Sequence, residues 1–252
     1  MRCPFFSSRF QIIRPIAKIV LDWSSLARLF WTDRTGYQII RRVIRDKLSY
    51  LRAIELAELY DSVRQVEATG YKGMIIEAGT ALGGSALVMA TAKRTSRPFF
   101  IYDAFERIPA PSERDGQDAH QRYQVITSGQ SNGIGGEKYY GYKPNLLEQV
   151  TKSFIHYGFT PADHNIRLIQ GLYEQTLQIT TPVAMAHLDC DWHDSVMICL
   201  ERIIPYLVKG GRVIIDDYLT WSGCRTAVDT YFANRKNEFA FVTHQRLHII
   251  RR

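Results

Sequence analysis

Between Met74 and Tyr218 the chain repeats one pattern: a short run of branched or aromatic residues ending in glycine or an acid, then a longer stretch with apolar residues at helical spacing. The runs are GMIIEAG, RPFFIYDAF, NIRLIQG, VAMAHLDCD and GRVIIDDY. Runs that are apolar on both faces suit strands covered on both sides, and their alternation with helical patterns predicts parallel strands joined by crossover helices. Leu147, Val150 and Phe154 mark one such helix; Met197, Leu200, Ile204 and Leu207 mark another, with Gly210-Gly211 expected to stop it. A helix around Ala227–Ala233 precedes EFAFVTH and RLHIIRR, which read as a terminal hairpin-like pair. The expected fold is therefore α/β: a Rossmann-like, seven-stranded sheet with helices on both faces. Upstream, Leu56, Leu59, Tyr60 and Val63 share a helix face, so residues 37–69 are expected to be helices packed before the first strand.

Charge divides the chain into two parts. Residues 1–52 hold 11 Lys and Arg against 3 Asp and Glu, a net of +8, whereas residues 53–252 hold 21 against 22. The overall +7 is thus the property of one end, and a nucleic-acid partner for the whole protein is not expected. Residues 1–49 read as a basic helical extension to a body spanning 50–252. Phe5, Phe6, Phe10, Ile12, Ile13, Ile16, Ile19, Val20 and Leu21 lie among its arginines, so an interfacial helix or an oligomer contact is expected there, and a homo-oligomer overall. Pro15, Lys18 and Asp22 interrupt any signal-peptide or spanning segment. Cys3, Cys190, Cys199 and Cys224 form no CxxC pair, so a reduced, cytoplasmic setting is expected. Residues 108–144 are rich in Pro, Gly and polar side chains and read as a mobile, lid-like insertion.

Two strand ends carry the chemistry. The first run feeds Glu77-Ala-Gly79-Thr80-Ala-Leu-Gly83-Gly84-Ser85 and then a helical pattern. Glycines there let backbone approach a ligand, and N–H groups at the helix start favour a polar or anionic group. The spacing is not that of a dinucleotide turn, which leaves a nucleoside with a smaller tail, with Asp103 placed to accept from ribose hydroxyls. The runs ending in Asp189-Cys190-Asp191-Trp192-His193-Asp194 and Asp216-Asp217 gather carboxylates that repel one another unless a cation lies among them. A hard divalent ion such as Mg²⁺ suits an all-oxygen set. Trp192, Trp221, Tyr218, Tyr139, Tyr140 and Tyr142 are candidates for aromatic walls around a sugar.

Taken in order, EAGTALGGS, IYDAFERIP, HLDCDWHDS, LERIIPYLVKGGRVIIDDY and GCRTAVDTYF resemble the macrocin O-methyltransferase family of S-adenosylmethionine-dependent enzymes, from about Tyr50 to Phe232. The resemblance implies a class I methyltransferase sheet, and methyl transfer to a hydroxyl, usually of a sugar on a glycosylated natural product, with a divalent metal. It implies that Glu77, Gly79 and Ser85 line the methionine part of the cofactor and Asp103 holds the ribose. Thr80, Gly83, Phe105, Gly171 and Asp189 complete the cofactor set. Asp189, Asp216 and Asp217 would be the metal ligands. Asp191 and His193 are the candidates for the base that takes the hydroxyl proton, with Asp191 preferred. The chain has Cys190, His193-Asp194 and Ser195-Val196 where the family usually has Gly, Tyr-Glu and Ser-Thr, all beside the expected acceptor. The rival readings are a nucleic-acid methyltransferase, against which no Asn/Asp-Pro-Pro-aromatic motif follows the fourth strand, and an inert methyltransferase-like interaction protein.

Overall fold

A computed structural model describes residues 8–252, with side chains described from Val20 onward. The expected apolar contact of Phe5 through Ile19 therefore lies outside the described side chains. Three helices, α1 (Ser8–Thr32), α2 (Arg34–Arg45) and α3 (Ala53–Thr69), lead into β1 (Met74–Ala78), α4 (Gly84–Ala92) and β2 (Phe99–Asp103). Then come α5 (Gln117–Thr127), α6 (Leu146–His156), β3 (Ile166–Gln170), the one-turn α7 (Tyr173–Thr176), β4 (Val183–Leu188), α8 (His193–Ile203) and β5 (Leu207–Ile215). The chain closes with α9 (Ser222–Phe232), β6 (Phe239–Thr243) and β7 (Leu247–Arg251).

The seven strands form one sheet in the order β3-β2-β1-β4-β5-β7-β6. The first five are parallel; β7 runs antiparallel to both β5 and β6, so the two terminal runs do make a hairpin. Strand alternation sends Ile75, Met185 and Ile214 to a core built with α2, α3, α4 and α6. It sends Met74, Ile76, Ala186, Val213 and Ile215 to a second core built with α8 and α9. Each of these side chains is at most 6% exposed, and full burial of one is worth about 1.5–3 kcal/mol. Ile39, Ile40 and Val43 of α2 sit in the first core, so the basic extension is packed onto the body by its apolar face.

Gly210-Gly211 does not end a helix. The helix α8 ends at Ile203, followed by a 3-10 turn at Ile204–Tyr206 that contains Pro205, whose ring lacks the N–H a helix needs. The glycine pair instead lies inside β5, where the β4 pairing register slips between Val183 and Met185 and Gly210 takes φ 78°. Residues 108–144 hold α5, 3-10 turns at Ile134–Gly136 and Tyr140–Tyr142, and a bridge between Asn132 and Lys138. Among the described residues, no helix is long and apolar enough to cross a membrane.

Candidate active site

The parallel strands deliver their carboxyl ends to one edge of the sheet, where such folds place their ligands. Two adjoining cavities open there, of about 210 and 330 Å³, and Gly79, Asp103, Asp189 and Asp191 line both. The smaller continues over Ala104, Gly171, Leu172, Tyr173 and Cys190. The larger continues over Asp216, Asp217, Tyr50, Tyr139, Tyr140 and Trp221. Gly79, at φ 87°, sits where β1 and β4 converge: a Cβ there would lie 1.8 Å from the Asp189 carbonyl oxygen. No other residue fits.

The glycine turn departs from the expectation that its N–H groups wait for a ligand. Thr80 N and Ala81 N donate to Asp103 Oδ2 at 2.7 and 3.0 Å, and Phe105 N donates to Oδ1 at 2.6 Å. Gly83 N donates to Thr80 O and Gly84 N to Leu48 O. The N–H groups of Thr80, Ala81, Gly83 and Gly84 are thus taken by the protein's own acceptors, and Asp103 is first of all the anchor that shapes the turn. Asp103 nevertheless remains on the wall of both cavities. Burial raises its carboxyl above the usual range, partly offset by the three N–H bonds.

The carboxylate cluster has a lopsided charge balance. Arg246, 3% exposed, donates through Nε to Asp216 and also lies 3.6 Å from Glu55 and 3.5 Å from Glu58. His187, fully buried, places Nδ1 3.0 Å from Glu77 and Nε2 3.6 Å from Asp216. Burial alone would lower the His187 pKa, but Asp216 and Glu77 push it up to about 9. Burial also opposes ionisation of Asp216, yet His187 and Arg246 hold it below the usual carboxylate range. Asp189 and Asp217 have no such contact, and burial followed by repulsion from their neighbours drives both well above that range. Asp191 is pushed up to about 6 by burial, against a 2.7 Å hydrogen bond from Trp221 Nε1.

This set can therefore accept further positive charge. Ligand atoms of His187, Asp189 and Asp216 lie within 4.8 Å of one another, and Asp217 lines the same cavity. His187, favoured in its protonated form by Asp216 and Glu77, is a cationic neighbour of the set, which leaves the three carboxylates of Asp189, Asp216 and Asp217 as the set's oxygen donors. Oxygen donors in excess over local cations match a hard divalent ion.

Residues 108–144 roof both cavities. Ile108, Pro109 and Asp115 face the smaller one and Arg122, Ile126 and Tyr140 the larger. The segment is latched to two helix starts. Trp192 Nε1 donates to Pro109 O at 3.0 Å, His193 N to Asp115 Oδ1 at 2.7 Å, and Ser222 N and Oγ to Asp118 at 2.9 and 2.7 Å. Trp192 and Trp221 pack edge to face, 5.4 Å between centroids.

Of the residues singled out from the sequence, Gly79, Asp103, Gly171, Asp189, Asp191, Asp216 and Asp217 meet at the cavities. Glu77, Thr80, Gly83, Ser85, Phe105 and His193 lie off both cavity walls. Glu77 faces His187, its register partner on β4. Gly83 packs under Val150 of α6, while Ser85 is buried in the first turn of α4 and Phe105 joins the first core. The His193 ring sits 2.6 Å from Asp194. The residues missed by sequence reasoning are His187, Arg246, Tyr50, Asp115 and Arg122. Only His187 had a signal, as a histidine inside an otherwise apolar strand.

The family model described as Macrocin-O-methyltransferase (TylF) matches residues 49–240. The chain belongs to the macrocin O-methyltransferase family. Within the curated members of that family's chemistry, it is 33% identical over 182 residues to the 8-demethyl-8-(2,3-dimethoxy-alpha-L-rhamnosyl)-tetracenomycin-C 4'-O-methyltransferase of Streptomyces olivaceus, covering 70% of this chain and 64% of that protein. It is 27% identical over 191 residues to the demethyldecarbamoylnovobiocin O-methyltransferase of Streptomyces niveus, covering 71% and 65%. The chain thus spans just under two thirds of the length of these relatives. Among solved structures, the O-methyltransferase NovP superposes with a TM-score of 0.65 at 23% identity, over 81% of this chain and 82% of that one. An SAH-bound methyltransferase from Podospora anserina superposes with a TM-score of 0.51 at 14% identity, over 100% and 98%. The chain therefore has the class I methyltransferase fold, as its strand order anticipates.

Proposed function

We propose that the protein is an S-adenosylmethionine-dependent O-methyltransferase that methylates a sugar hydroxyl of a glycosylated natural product or glycan precursor, assisted by Mg²⁺. The observation that carries this reading is the junction of the two cavities. A donor site lined by Gly79, Asp103 and Gly171 meets a carboxylate-rich acceptor site at Asp189 and Asp191. The Streptomyces olivaceus relative is named for a rhamnosyl-bearing compound, which agrees with an acceptor site walled by Tyr139, Tyr140 and Trp221.

Asp103, Gly79 and Gly171 would bind the donor. Asp189, Asp216 and Asp217 would hold the cation. When bound, Mg²⁺ supplies Lewis acidity that makes a sugar hydroxyl easier to deprotonate. Asp191 would take the proton of the attacking hydroxyl; the donor, when bound, would supply a methyl group on a sulfonium whose departure as a neutral thioether balances the transfer. Asp191 lies on the wall that the two cavities share, which puts it within reach of both the donor and the acceptor and suits it to that role. Trp221 Nε1 fixes the carboxylate that does this. His193, donated to Asp194 and off the cavity, serves the start of α8. The aromatic walls and the latched roof exclude water and align acceptor with donor, an arrangement worth several kcal/mol of barrier.

The test is transfer of label from S-adenosylmethionine into glycosides with free sugar hydroxyls, with Mg²⁺ and after EDTA. Transfer should require the cation, and Asp217→Ala, at a residue that lies on the larger cavity alone, should abolish it while calorimetry still registers donor binding. Full activity in excess EDTA would remove the cation from the reading, and absent donor binding would remove the reading itself.

A further inference from the structure

One face of α1 lies bare among the described residues. Val20, Trp23, Ala27 and Trp31 follow one another at helical spacing, with Val20, Trp23 and Trp31 respectively 59%, 70% and 82% exposed. The opposite side of the helix sends Leu29 into the core. Trp23, Ala27 and Trp31 are contiguous with Leu26, Phe30 and Tyr37 around one shallow hollow. Two arginines rim it: the Arg34 guanidinium stands 3.7 Å from the centroid of the Phe30 ring, and that of Arg41 5.4 Å from that of Tyr37. A single exposed indole needs no explanation, but two in one continuous patch mark an interaction surface.

Charge selects the partner. Residues 1–52 carry a net +8. Arg28, Lys47 and Arg52 are paired with Asp61, Glu137 and Glu55 of the body, so the surplus at this face rests on Arg34 and Arg41 at the rim. The segment's own three carboxylates are engaged elsewhere. Asp22 accepts from Ile54 N, Asp33 caps α2 through Thr35 N and Gly36 N, and Asp46 pairs with Arg45. A second copy seated on this face would bring two such basic segments together, a like-charge arrangement that opposes association. The same charge attracts an anionic surface. Indoles flanked by arginines are the composition of an interfacial helix, with the rings at headgroup depth and the guanidinium groups on lipid phosphates. The helix is not long and apolar enough to span, so it would lie on the bilayer.

We infer that this face of α1 docks the protein onto an anionic lipid bilayer. The inference is independent of the proposed methyl transfer, because Trp23 and Trp31 line neither active-site cavity. The test compares the full chain with a W23S/W31S variant, which keeps every charge, on vesicles of phosphatidylcholine alone and of phosphatidylcholine mixed with phosphatidylglycerol. The full chain should co-sediment with the phosphatidylglycerol vesicles only, its binding should weaken with salt, and brominated lipid should quench its tryptophan emission. The variant should partition about tenfold more weakly or worse, with an unchanged unfolding midpoint. Equal partitioning of both proteins, or no binding to phosphatidylglycerol vesicles, would overturn the inference. So would a dimer in sedimentation velocity that W23S/W31S dissolves without any vesicle binding, or retention by RNA in place of vesicles.

Discussion

Asp191 is held in a backbone conformation that an L-residue adopts at a cost, with φ 56°. Its N–H donates to Asp217 Oδ2 at 3.2 Å, and its side chain is gripped by Trp221. That conformation places the carboxylate on the wall common to both cavities, where the proposed transfer would need its proton acceptor. Asp191→Asn preserves the shape and the oxygen that accepts from Trp221 while removing the basic site. It should lower kcat by about 10²- to 10⁴-fold and leave donor affinity nearly unchanged, as steady-state kinetics and calorimetry on the same preparation would establish. A matching loss of donor affinity would show that Asp191 is a donor contact and not the base.

At the scale of elements, the β6–β7 hairpin contributes more than an edge to the sheet. It carries Arg246 back across β5 to Asp216, thirty residues away in sequence, with Glu55 and Glu58 of α3 on the other side. Arg246→Met would leave these three carboxylates facing one another without their guanidinium. Breaking a buried pair from one side costs about 3–5 kcal/mol, so the urea midpoint should fall accordingly, and Arg246→Lys should recover part of the loss. This element also shows where sequence reading stops. The strands and most helices were legible because each is written in local periodicity: GMIIEAG and VAMAHLDCD are strands for reasons contained within them. The aspartates at the strand ends were legible for the same reason. His187 with Glu77, and Arg246 with Asp216, pair across strands, and no spacing rule reports a partner that only the sheet order brings near. The Gly210-Gly211 misreading has the same origin, since glycine suits a helix stop and a strand bulge equally and only the β4 register distinguishes them.

Over the whole molecule, the candidate site and a stabilising clamp occupy opposite edges of the sheet. The carboxyl edge holds mutually repelling carboxylates, a strained Asp191 and two cavities. The opposite edge holds a clamp around the buried Glu67 carboxylate. Arg97 donates to Glu67 at 2.5 Å, to Gly73 O at 2.6 Å and to Tyr71 O at 2.9 Å, while Arg94 reaches the same carboxylate at 2.8 Å. This ties the end of α3 and the entry to β1 to the loop before β2. Burial works against the Glu67 charge, but Arg97 and Arg94 keep its carboxyl below the usual range. A carboxylate with a depressed folded-state pKa gives stability that is fully present above its unfolded pKa and is lost as pH falls through the folded one. Glu67→Gln should therefore cost about 3 kcal/mol near neutral pH, a drop in Tm of several degrees for a chain of this size. The difference between variant and parent should shrink as the pH is lowered below about 4.5. Methyl transfer at moderate temperature should be untouched, because the clamp meets neither cavity. Thermal unfolding across pH, set beside activity at one temperature, checks both halves. A variant that kept its Tm but lost activity would mean that the two edges are mechanically coupled through β1.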